Sequence, residues 1–192
     1  MNLSGFEPFL ESLAKGPVLR KTLALTLRIL AAVLILAGLF MALGTIGQII
    51  NVIRIDAAEA LGGLLSLVLI VAGFFLAVKV VLFRAKSILT SSESEYPIVS
   101  LSLLLLRTAG ELLALFYSVF GFISGITIWF GGEFPFLPSF WRSLFLPGIP
   151  AFILGLGIIL ASLLQAILML LAFYLLAELL LLLRDLATNC RR

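Results

Sequence analysis

The chain has 192 residues, of which 62% are hydrophobic and only 12% are charged, about half the ~25% typical of soluble domains. A fold of this size cannot hide so much apolar surface from water, so an ordinary soluble globule is excluded. The net charge of +3 comes from basic residues beside apolar runs and gives no ground for nucleic-acid binding.

The apolar runs are continuous and rich in Leu, Ala, Ile and Val, unlike the ~10-residue alternating segments of an outer-membrane barrel. The fold class expected is therefore an all-α integral membrane protein with four transmembrane helices in a single domain. Residues 1–16, NLSGFEPFLESLAKG after the initial Met, keep an apolar helical period through Leu3, Phe6, Leu10 and Leu13. They predict a short N-terminal interfacial helix that ends at Gly16-Pro17.

Span one is expected at 29–50, too long for the apolar core of a cleaved signal peptide. A short connection, NVIRIDAAEA, leads to span two at 61–83. The polar stretch TSSESEYP follows, with Ser92 and Glu95 at capping-box spacing and Pro97 suited to the first helical turn. Helix three should start near Pro97, with its membrane span at 112–130. Residues 131–150 carry four prolines and five Phe or Trp side chains. Prolines break a continuous helix and aromatics favour the headgroup layer, so this loop is expected to be interfacial, with a short helix over 139–146. Span four is expected at 151–177.

Lysines and arginines are distributed unevenly about these spans. Eleven of the 13 fall on the side of the two termini and the span two–three loop; only Arg54 and Arg142 fall on the other. The positive-inside bias predicts a protein integral to the cytoplasmic membrane, with both termini in the cytoplasm. The two halves also permit a reading as two parallel two-helix repeats, laying 25–38 on 104–117 and 82–90 on 182–190, which sets Arg28 over Arg107 and Arg84 over Arg184.

Five charged side chains fall in or at the edge of the spans on the basic side: Arg28, Lys79, Arg107, Glu111 and Glu178. Intramembrane charges are costly and mark sites by default. Arg107 and Glu111 stand at i and i+4 and are expected to pair on one helix face. The simpler reading is a boundary ring in which Glu111 and Glu178 pair with Arg28, Lys79 and Arg107 where helices leave the lipid. The sharper one is a polar vestibule for an ion, a proton or a lipid headgroup. Small residues at four-residue spacing, Gly121/Gly125 in span three and Ala151/Gly155 in span four, predict close helix packing.

There is no histidine, and Cys190 is the lone cysteine. No hydrolase triad, zinc motif or phosphate-binding loop is present, so neither an enzyme nor a bound cofactor or metal is expected. The expected role is a non-catalytic accessory, scaffold or assembly subunit, acting in the lipid bilayer with a membrane-protein partner or a second copy. A small channel or transporter with a charged cytoplasmic vestibule is the alternative, and a lipid-binding protein using the basic rim is a third.

Overall fold

The computed structural model describes residues 17–90, 97–131 and 150–189. They form four helices: α1 (Pro17–Val52), α2 (Ala57–Thr90), α3 (Pro97–Trp129) and α4 (Ala151–Asn189), with no strand among them. The chain is an all-α protein with four helices long and apolar enough to cross a membrane. The segments 1–16 and 132–149, with the expected surface helix and most of the aromatic loop, lie outside the described residues, as does the 92–95 capping box.

The helix ends follow local chemistry. Pro17 and Pro97 open α1 and α3, where a missing N–H costs nothing. Asp56 caps α2: its Oδ1 accepts from the backbone N–H of Ala58 at 2.8 Å and of Glu59 at 3.3 Å. Past α3, Gly131 takes a left-handed φ of 78° and its N–H donates to Ile128 O at 3.2 Å, a glycine stop.

The helices run to 36, 34, 33 and 39 residues, roughly 50–58 Å at 1.5 Å per residue. That exceeds the ~30 Å hydrocarbon thickness. Each helix accordingly continues past its predicted span at the end that holds both termini: α1 begins at 17 where its span is expected from 29, α2 continues to 90 past 83, and α4 to 189 past 177, while α3 begins at Pro97 as expected, ahead of its 112–130 span. Apolar composition marks only the stretch that lipid requires; helical hydrogen bonding carries on beyond it. We call this end the terminal end, and the opposite one, with the 53–56 turn and the start of α4, the hairpin end.

The helices are apolar all round rather than along one stripe. Phe40, Leu43, Phe83 and Leu164 all lie on the surface, an arrangement that suits lipid and not water. Packing is sequential: α1 on α2, α2 on α3, and α3 on α4, with no other pair of described helices packed extensively. Two apolar clusters hold the first three helices. At the terminal end Ala24, Leu27 and Ala31 meet Val81, Ala85, Ile88 and Leu101. Further along, Ile70, Phe74 and Ile123 form a second centre, with Phe74 and Phe116 edge-to-face at 5.7 Å.

α4 docks on α3 through small residues. A Cβ on Gly121 would collide with Ser162, and one on Gly125 would stand 2.6 Å from Ile159 and 2.8 Å from the Gly155 carbonyl. Gly155 faces Trp129 and the Gly125 carbonyl in return. Ala151 is exposed at the start of α4, outside this seam; one turn before Gly155, which already faces Trp129 at the end of α3, it has no further turn of α3 to pack against. Trp129 stacks on Phe152 at 5.5 Å and donates from Nε1 to its carbonyl at 3.1 Å, tying the two helices at the hairpin end.

The positions matched by the two-repeat reading differ in surroundings. Arg28 is exposed on α1 while Arg107 is partly buried in α3. Arg84 reaches across to α3, whereas Arg184 pairs with its neighbour Asp185 at 2.9 Å.

Candidate functional site

Three helices contribute to one polar cluster near the terminal end. Arg84 of α2 donates from Nε to Glu111 Oε2 at 3.1 Å, and from Nη2 to Glu111 Oε1. Tyr174 of α4 donates its hydroxyl to Glu111 Oε1 at 2.8 Å. The α3 carboxylate is thus gripped by a two-pronged guanidinium from one side and a phenol from the other. Bidentate arginine–carboxylate pairing is among the stronger hydrogen-bonded contacts a protein makes. Both side chains of the pair are about one-fifth exposed, at 21%, so the pair is shielded without being sealed.

Arg107 stands beside this pair rather than in it. Its guanidinium carbon lies 5.5 Å from the centre of the Tyr174 ring, a cation–π contact. Its Nε is buried with no hydrogen-bond partner among the described residues. The expected intrahelical Arg107–Glu111 pair is therefore corrected: Glu111 bonds to Arg84 and Tyr174. The spacing i, i+4 brings two side chains near each other, but the carboxylate points toward the neighbouring helices, where a planar fork and a hydroxyl satisfy both oxygens at once.

The approach of α4 makes this geometry possible. Gly110, next to Glu111, lies against Phe173, and a Cβ there would come within 2.7 Å of the Phe173 Cβ. A larger residue at 110 would push α4 outward and carry the Tyr174 hydroxyl away from Glu111. Thr108 is buried but self-satisfied, its hydroxyl donating to Leu104 O at 2.7 Å.

The other expected members of the ring do not join. Lys79 is exposed on α2 with its ammonium 4.6 Å from the centre of the Phe75 ring. Arg28 and Glu178 are exposed on α1 and α4, and among the described residues neither forms an ion pair. A five-membered ring is thus replaced by a compact cluster of Arg84, Arg107, Glu111 and Tyr174.

In the sequence Arg84 figures only among the basic residues of one side and as the repeat counterpart of Arg184, and Tyr174 carries no assigned role. A signal for the tyrosine was present: a phenol within a long apolar run needs a hydrogen-bond partner, and Glu111 is the carboxylate at matching depth on the adjoining helix. From Glu111 to Trp129 the helix rises about 27 Å at 1.5 Å per residue. That is close to the ~30 Å core, which suits a cluster near one edge of the membrane. No protein family, curated protein or solved structure matches this chain.

Proposed function

We propose that the chain is a non-catalytic accessory or assembly subunit of a membrane, with the Arg84–Glu111–Tyr174 cluster as an internal fastener. The observation that carries this reading is the bonding of Glu111. Its two oxygens take hydrogen bonds from α2 and α4 of the same chain, so the one carboxylate in the cluster is committed to holding helices together. A carboxylate that carries ions or protons must exchange partners during its cycle; this one has an arginine fork and a phenol fixed on it. The cytoplasmic orientation of the basic terminal end belongs to the same proposal and rests on the positive-inside bias.

Purification in a mild detergent followed by native mass measurement tests this role. The expected result is a stoichiometric complex with a second membrane protein, together with no solute flux above that of empty vesicles when the purified chain is reconstituted. Saturable flux that the E111Q variant abolishes would overturn the reading in favour of a transporter.

A further inference from the structure

A second feature lies at the opposite end of the molecule. Between α1, α2 and α3 at the hairpin end opens a cleft of about 530 Å³, within the ~300–1,000 Å³ of small-molecule sites. Along α2, Ser66 on its wall is 18 residues from Arg84, about 27 Å at 1.5 Å per residue, so the cleft is separate from the polar cluster.

The cleft is graded in polarity. Of its lining, Gln48 and Asn51 are exposed and Glu59 half-buried near the helix ends, while Met41 is half-buried and Ile70 and Ile123 are buried further along the helices. Ser66 lies between them: it is only 6% exposed, and among the described residues its hydroxyl has no hydrogen-bond partner. Thr45 and Thr127, which also line the cleft, return their hydroxyls to the carbonyls four residues earlier at 2.9 and 2.8 Å. Ser66 does not, and an orphaned buried hydroxyl is costly.

The electrostatics favour a cation. Among the described residues Glu59 is the one carboxylate lining the cleft, no lysine or arginine lines it, and Glu59 has no ion-pair partner. The last turn of α1 and the end of α3 border the cleft at Asn51, Val52 and Phe130, so two helix C-termini add partial negative charge. The positive N-terminus of α2 is answered by its own cap, Asp56.

We propose that this cleft binds an ammonium amphiphile: an ammonium head at Glu59, a hydrogen-bonding group at Ser66, and an apolar tail on Met41, Ile70 and Ile123. Seven residues of helix separate Glu59 from Ser66, which sets the two polar groups of the ligand about 10 Å apart. An aminophospholipid offers all three groups, and a free hydrophobic amine offers the ammonium and the apolar tail. The inference goes beyond the assembly role and does not depend on it.

The test uses the full chain in lipid nanodiscs, with two probes. Native mass spectrometry reads retention of phosphatidylethanolamine against phosphatidylglycerol, and calorimetry reads binding of 4-phenylbutylamine. Selective retention of phosphatidylethanolamine identifies a lipid as the amine source; saturable binding of 4-phenylbutylamine without lipid retention identifies a free amine. In either case E59Q should weaken binding about tenfold; S66A should weaken phosphatidylethanolamine retention about threefold and leave 4-phenylbutylamine, which has no second polar group, unaffected. Gly44 lines the cleft with open space where its Cβ would be, so G44L should fill the cleft and abolish binding while helicity and monodispersity stay intact. Binding of neither probe, preference for phosphatidylglycerol, or binding indifferent to both E59Q and G44L would overturn the proposal.

Discussion

Replacing Glu111 with glutamine removes the charge at the centre of the polar cluster while keeping its size. Arg84 then holds a guanidinium, four-fifths shielded, with no counter-ion, and Tyr174 exchanges a charged acceptor for a neutral one. Removing one partner of a fully buried ion pair costs about 3–5 kcal/mol. Partial exposure, and the freedom of the arginine stem to reach toward the interface, reduce this by roughly half. Interhelical hydrogen bonds in lipid average as little as ~0.6 kcal/mol, because helices separated within the membrane find other partners. We therefore expect E111Q to destabilise the protein by about 2 kcal/mol. R84Q should cost a similar amount. The double variant should cost less than the sum, with a coupling of about 1–2 kcal/mol. Unfolding in mixed micelles by titration with sodium dodecyl sulfate, followed by helicity, measures all three. The control is the R107Q/E111Q cycle, whose coupling should be smaller because among the described residues no hydrogen bond or ion pair joins those two side chains. Additivity of R84Q and E111Q within about 0.5 kcal/mol, or a larger coupling for Arg107, would refute the interhelical pair as the fastener.

Further predictions concern the same architecture. Y174F removes the hydrogen bond to Glu111 but keeps the ring beneath Arg107, and should cost about 1 kcal/mol in the same titration; Y174A should cost more, because both contacts go. G121L and G125L place side chains into Ser162, Ile159 and the Gly155 carbonyl and should destabilise by about 1–3 kcal/mol or more, read as increased cross-linking distance between cysteines placed on α3 and α4. A151L, at an exposed position outside the seam, should be neutral within about 0.5 kcal/mol in that titration. D56A removes the cap of α2 and should cost about 1 kcal/mol, visible as faster amide exchange at Ala58 and Glu59 with little change elsewhere.

Much of the architecture was legible in the residue order because the bilayer and the backbone impose strong local rules. Four apolar runs about as long as a membrane core require helices, and Pro97 opens α3 as its position suggests; Pro17, read from sequence as the stop of the preceding segment, instead opens α1. Gly121, Gly125 and Gly155 announced a close seam, since only small residues let two helix backbones approach. The pairing of the charges followed no such local rule. Arg107 and Glu111 share a helix face, yet Glu111 bonds to Arg84 and Tyr174, 27 and 63 positions away along the chain. Which side chains meet across helices depends on rotation about each helix axis and on close approaches such as Gly110 to Phe173, and both are outcomes of packing the whole chain. The hairpin-end cleft has the same origin. Glu59 and Ser66 look unremarkable in sequence, and Gly44, whose size suggests a close helix contact, faces open space; only the arrangement of α1, α2 and α3 leaves a cleft that the three of them line.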